Sequence, residues 1–85
     1  MAKRTIVGIN VTNRIKQVSK LQAILTEYGC SIKTRLGLHE TSKTSCSTMG
    51  LLVLELIDNP SEIKAFLDKL SKVEGIEVKK MLFKV

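Results

Sequence analysis

Aromatic residues are scarce in this sequence of 85 residues. There is no tryptophan, and the aromatic side chains are limited to Tyr28, Phe66 and Phe83. This scarcity argues against a nucleic-acid-binding module of the kind that stacks bases on aromatic side chains. We therefore expect a core built mainly from aliphatic side chains.

The sequence also lacks a long apolar segment. A membrane-spanning helix needs roughly 18 or more apolar residues, and no run approaches that length. The basic start at residues 1–5 is followed by a stretch that turns polar from Gly8 to Asn13, unlike the apolar region of a signal peptide. We therefore expect a cytoplasmic protein with no membrane partner.

Cysteine is limited to Cys30 and Cys46, and a cytosolic environment keeps such thiols reduced. The two positions fall toward opposite ends of a predicted antiparallel hairpin, too far apart for a disulfide. We expect two free thiols, with Cys30 on the apolar face of its strand and packed in the core.

Acidic residues are a minority as well, with 8 Asp and Glu against 14 Lys and Arg, for a net charge of +6. This excess admits an acidic partner such as a nucleic acid, a nucleotide or an acidic protein. A soluble lysine-rich surface explains the same excess, and we favour that interpretation over nucleic-acid binding. The length predicts a single domain over residues 1–85.

Periodicity predicts six elements along the chain. Alternating apolar residues predict strands at 5–11, 30–38, 48–57 and 76–85. Helical spacing predicts one helix that starts at Thr12 or Asn13 and another capped by Asn59, with Pro60 in its first position. Gly29 is placed where a left-handed residue would end the first helix, and Gly75 ends the second.

The resulting order is β-α-β-β-α-β. Right-handed crossovers then place both helices on one face of a four-stranded antiparallel sheet, so the fold class is α+β. The third strand, 48–57, is apolar on both of its faces, which is typical of a strand buried on both sides.

Two helices cover only one face of such a sheet, and the first strand adds Ile6 beside Gly8 to the other face. An uncovered apolar patch is usually an interface. We therefore expect a homodimer or higher oligomer that forms through the bare sheet face or an edge strand. The alternative is one apolar strand shielded by neighbouring lysine stems.

The polar segment 39–47 is predicted to be a loop, in which His39 and Cys46 flank residues 40–45. Imidazole and thiolate are suitable ligands for zinc, nickel or copper. Two ligands do not complete a metal site, so Glu40 or a second subunit would have to contribute. The alternative is a surface histidine beside an unrelated cysteine, and no third group is apparent that would make a catalytic Cys–His pair.

Two segments carry candidate ligand contacts. Arg35 alternates away from the face that Ile32 and Leu36 are predicted to share, and a guanidinium there could bind a carboxylate or phosphate. Gly37 would admit a ligand or form a bulge. The loop that feeds the first helix has a helix N-terminus beside it, and its candidates are Asn10, Thr12, Asn13 and Arg14. The alternative for Arg35 and Gly37 is an exposed sheet arginine and a glycine in a bulge, with no ligand.

In their order and spacing, four parts of the chain resemble the iron-only hydrogenase system regulators, a family of small ACT-like proteins. These parts are 12–14, 27–29, 34–38, and 67–70 with 73–79. The resemblance covers nearly the whole chain. It implies a ferredoxin-like (ACT-like) fold, an oligomer and a regulatory role that is assigned to the family rather than demonstrated.

The family is similar to the ligand-binding domain of nickel-responsive repressors, but a second histidine beside His39 is missing. This departure argues against metal sensing. We expect a non-enzymatic, small-molecule-sensing ACT-like domain whose partners are itself and a small molecule or protein, and whose cofactor, if any, is not identified. The alternatives are a metal binder through His39 and Cys46 or a basic nucleic-acid-binding module.

Overall fold

A computed structural model of the chain describes residues 3–12, 18–41 and 46–84, with the backbone alone at 38–41 and 46–49. The elements along the chain are β1 (Lys3–Val11), α1 (Val18–Glu27), a 3₁₀ turn (Gly29–Ser31), β2 (Ile32–Thr41), β3 (Cys46–Leu56), α2 (Pro60–Leu70) and β4 (Ile76–Lys84). The predicted β-α-β-β-α-β order is confirmed. No helix within these ranges is long and apolar enough to cross a membrane.

The four strands form one antiparallel sheet in the order β2-β3-β1-β4. The central strands are therefore β1 and β3, and the edges are β2 and β4. Buried residues of both helices belong to the same core as those of the central strands, so both helices pack on one face. The predicted α+β ferredoxin-like fold is confirmed.

We call the face under the helices the covered face. Its buried strand residues are Thr5, Val7, Ile9, Val11, Leu54 and Leu56. Helix residues close over them, and the largest is Phe66, which is 1% exposed. Its ring lies 5.3 Å from that of Tyr28 at 55°, a tilted arrangement that aromatic pairs favour. The core is otherwise aliphatic, as the composition predicts.

The start of α2 confirms the predicted cap. The Asn59 side chain accepts a hydrogen bond from the backbone N–H of Glu62 at 3.3 Å, and Pro60 is the first helical residue. Gly75 has a φ of 86°, which a residue with a side chain rarely adopts. The prediction of a left-handed Gly29 is wrong, because the chain tightens there into the 3₁₀ turn instead.

That turn also changes the start of β2. The strand begins at Ile32, and Cys30 lies before it as an exposed free thiol. The prediction that Cys30 packs in the core is therefore wrong, since alternation assigns a face only within a strand. The predicted loop over 39–47 is too long, because the strand ladder extends to Thr41 and resumes at Cys46. Backbone pairing does not require apolar side chains.

The register of β2 against β3 is irregular between Ile32 and Thr34. Ile32 pairs with the buried Leu56, whereas Leu36 pairs with Val53 on the other face of β3. A β-bulge that adds one residue reverses the alternation beyond it. The prediction that Ile32 and Leu36 share a face is therefore wrong.

We call the face that points away from the helices the open face. Its described side chains are Arg4, Ile6, Gly8, Asn10, Thr34, Leu36, Leu51, Val53, Glu55, Glu77, Lys79, Met81 and Phe83. The ammonium of Lys33, at the irregularity in β2, also contacts Glu55 on this face. Within β3, Leu54 is 0% exposed on the covered face but Leu51 is 39% exposed on the open face. The sequence predicts that β3 is buried on both sides. In the single chain only one side is buried, because both helices lie on the same face.

Candidate functional site

The end of β1 is fixed to the turn that precedes β4. The Thr12 hydroxyl donates a hydrogen bond to the Gly75 carbonyl oxygen at 2.7 Å, and the Thr12 backbone N–H donates to the same oxygen at 3.0 Å. Asn10 lies on the open face, opposite Leu51. The other two ligand candidates of this segment, Asn13 and Arg14, lie outside the described residues. A ligand contact at this end of β1 stays a prediction.

Arg35 and Gly37 lie on the edge strand β2, on the side of the covered face. Arg35 pairs with the buried Leu54, and its own side chain is exposed. A Cβ added to Gly37 would lie 3.2 Å from Leu52 Cδ2, so the backbone of Gly37 packs closely against that side chain. Because Asn10 lies on the opposite face, the sheet does not bring Asn10 together with Arg35 and Gly37.

The backbone places His39 opposite Gly50 and Cys46 opposite Thr41, within the β2–β3 hairpin. The His39 and Cys46 side chains lie outside the described residues. Elsewhere in the described ranges, no group of three or more His, Cys, Asp and Glu residues is placed to hold a metal ion. The His39/Cys46 metal site stays a prediction.

The open face carries large apolar side chains from all four strands. Leu36 is 55% exposed, Met81 56% and Phe83 48%, while Ile6 and Val53 are half-buried between them. The alternation of β1 and β4 predicts part of this surface. The contribution of Leu36 follows only from the bulge in β2.

A charged group lies near one end of this apolar surface. The Glu55 carboxylate lies 3.2 Å from Arg4 Nε and 3.7 Å from Lys33 Nζ, so the group links β1, β3 and β2. The Glu55 side chain is 21% exposed, and cations flank its negative charge on both sides. Sequence reasoning missed this group, because its members come together only through the strand register.

A groove of about 370 Å³ runs between α2 and the β1–β4 side of the sheet. The residues that line it are Lys3, Thr5, Asp58, Pro60, Ile63, Lys64, Leu67, Asp68, Lys80 and Leu82. Leu82 lies opposite Thr5 on the covered side of β4 and is 49% exposed. Sequence reasoning missed the groove; the available signal was an apolar residue on the helix side of β4 between Lys80 and Lys84.

The two helices are joined by a charge pair away from this groove. Lys69 on α2 donates a hydrogen bond to the Glu27 carboxylate at the end of α1, and its Nζ lies 5.3 Å from the Tyr28 ring centroid. The hydrogen bond to Glu27 raises the pKa of the Lys69 ammonium above its usual value of 10.5. This exposed contact links α2 to the end of α1, and none of its three residues lines the groove.

Comparison with solved structures supports the fold and identifies a relative. The uncharacterized protein TM1266 from Thermotoga maritima has a TM-score of 0.77 and 25% sequence identity, over 96% of this chain and 99% of that chain. A nitrogen regulatory PII-like protein from Thiomonas intermedia K12, solved with ADP, AMP and bicarbonate, has a TM-score of only 0.45 and 11% identity, over 98% of this chain and 94% of that one.

No curated protein matches the chain. The model of the TM1266-like family, described as "Iron-only hydrogenase system regulator, putative", matches residues 3–80. This match covers all four strands and both helices except for the end of β4, and it agrees with the resemblance found in the sequence. The chain belongs to the TM1266-like family of iron-only hydrogenase system regulators.

Proposed function

We propose that this chain is a non-enzymatic regulatory domain that senses a small molecule and works as a homo-oligomer assembled through the open face of its sheet. The family supports the regulatory role. The observation that carries the proposed assembly is the apolar open face, where Leu36, Met81 and Phe83 are each about half exposed. Contiguous apolar surface on a soluble protein commonly marks an interaction site.

The charges on this face favour a second copy of the same chain as the partner. The described ionisable side chains are three basic and two acidic: Arg4, Lys33, Lys79, Glu55 and Glu77. The whole chain, by contrast, has a net charge of +6. A partner of opposite charge, such as a nucleic acid, would be expected to bind where the basic excess concentrates. A nearly balanced surface instead suits a symmetric copy of itself.

The Glu55 group is compatible with burial of this face, because its charge already has partners. An unpaired carboxylate buried in an interface would destabilise the complex by several kcal/mol. Here Arg4 and Lys33 already contact Glu55 within the single chain. Association would therefore bury a charge that has its partners in place.

Gly8 provides a second line of support. It lies in the central strand β1 on the open face, and a Cβ added there would meet no atom within 4 Å. Glycine inside a strand weakens the strand unless something approaches it closely. No atom in the described part of the chain does so at Gly8, and a second sheet packed on the open face would.

The experiment is light scattering of the protein across a concentration series that reaches high micromolar. We expect a mass of two or more chains at the upper end. Leu36→Glu should lower that mass, because it places an unpaired charge in the proposed interface. Gln22→Glu is the matched control, with the same change in charge at an exposed position on α1.

A single-chain mass at high micromolar concentration would contradict the proposed assembly. So would equal masses for the Leu36→Glu and Gln22→Glu variants. A secondary-structure spectrum for each variant checks that the fold is intact, so that a lower mass reports on the interface.

A further inference from the structure

We propose that the groove between α2 and the β1–β4 side of the sheet binds a small apolar carboxylate. This inference deepens the proposed sensing function and rests on it, but the groove is physically separate from the proposed interface. Its sheet residues point toward the helices, whereas the interface residues point away from them. Each surface can therefore be altered without touching the other.

The size and floor of the groove suit a small molecule. Its volume of about 370 Å³ lies within the range of roughly 300–1,000 Å³ that is typical of small-molecule pockets. Ile63 and Leu67 on α2 are partly exposed, and Leu82 on β4 faces them with 49% of its surface accessible. The fold leaves these apolar side chains partly uncovered, so the apolar body of a ligand can pack against them.

The charges at the rim favour an anion. Asp68 already pairs with Lys64 at 3.3 Å. Asp58 accepts a hydrogen bond from the backbone N–H of Lys3 at 3.2 Å. Two rim ammonium groups, those of Lys3 and Lys80, have no ion-pair partner among the described residues.

A carboxylate fits this arrangement because it accepts hydrogen bonds from ammonium groups and offsets their charge. Its apolar portion would then cover Leu82 and the exposed edge of α2. A ligand with a positive head would instead meet the unpaired Lys3 and Lys80 charges. The class we infer is therefore a monocarboxylate with an aliphatic or aromatic body.

The probe is octanoate, titrated into isotope-labelled full chain while backbone amide signals are followed by NMR. Octanol and octylammonium, with the same chain and a neutral or positive head, are the ligand controls. We expect octanoate to bind most tightly, and to perturb signals of β4 around Leu82 and of α2 around Ile63. Shortening the acid should weaken binding by about two- to fourfold per methylene.

Adjacent lysines on β4 supply a matched pair of variants. Lys80 lies opposite Val7 on the covered side, and Lys79 lies opposite Gly8 on the open face. Lys80→Met should weaken octanoate binding by about fivefold or more, while Lys79→Met should leave it unchanged. Both variants lose one positive charge, so a general effect of net charge would move them equally.

Equal binding of octanoate and octylammonium would overturn the inference, as would equal affinities of the Lys80→Met and Lys79→Met variants. Absence of octanoate binding at millimolar concentration would overturn it too. If the same sample were oligomeric by light scattering, only the groove inference would fail. If octanoate bound as expected to a protein that stayed a single chain, the groove would stand and the proposed assembly would fail.

Discussion

The two faces of the sheet differ much less in composition than in coverage. Neighbouring residues of β1 show this, since Val7 is fully buried under the helices and Ile6 is only half-buried on the open face. In β3, Leu54 is buried and Leu51 is exposed. One face of the apolar strand β3 is therefore buried within the chain. On our proposal, its other face is buried between chains.

The largest expected effect separates these two kinds of burial within one strand. Leu54→Ala should lower the free energy of unfolding by about 2–5 kcal/mol, because it leaves a cavity in a packed core. Leu51→Ala should lower it by no more than about 1 kcal/mol, since the side chain is 39% exposed. Both values should come from denaturant unfolding on a Met81→Glu background, so that association does not contribute.

If Leu54→Ala and Leu51→Ala lowered the free energy of unfolding by similar amounts on that background, the assignment of separate roles to the two faces would be contradicted. If Leu51→Ala lowered the free energy of unfolding only in the chain without Met81→Glu, and more so at higher protein concentration, the result would support separate roles for the two faces. Such concentration dependence is the signature of stability that comes from association.

A smaller effect concerns the charged group on the open face. Glu55→Ala should change the unfolding free energy of the single chain by less than about 1 kcal/mol, because its partners are exposed. It should weaken association by about tenfold or more, since Arg4 and Lys33 would then be buried without a partner. Sedimentation equilibrium measures the dissociation constant, and Glu55→Gln separates the loss of charge from the loss of volume. Unchanged association in Glu55→Ala would place the interface elsewhere.

Much of the covered face was predictable from the sequence, because its signals are local and periodic. The alternation of Val7, Ile9 and Val11 and the cap at Asn59 each depend on residues close together in the chain. The exposure of Cys30 and the change of face at Leu36 were not predictable, since a 3₁₀ turn and a β-bulge interrupt the alternation. Neither irregularity has a distinctive residue pattern.

The candidate site was less predictable than the fold for a related reason. Arg35 and Asn10 were singled out by residue type, yet the register places them on opposite faces. The Glu55 group and the groove at Leu82 unite residues that are far apart in the chain. Such sites depend on which strands pair and on how a helix lies across them.

The most direct test of the central claim compares two adjacent residues of β4. Met81 and Leu82 are 56% and 49% exposed, on the open and covered faces respectively. Glutamate at either position changes the charge equally, so sedimentation velocity of Met81→Glu, Leu82→Glu and the unmodified chain isolates the effect of the face. We predict that Met81→Glu sediments as a single chain, with association at least about 100-fold weaker, while Leu82→Glu sediments as the same oligomer as the unmodified chain. Association of Met81→Glu as strong as that of the unmodified chain would contradict the claim that the open face joins the subunits.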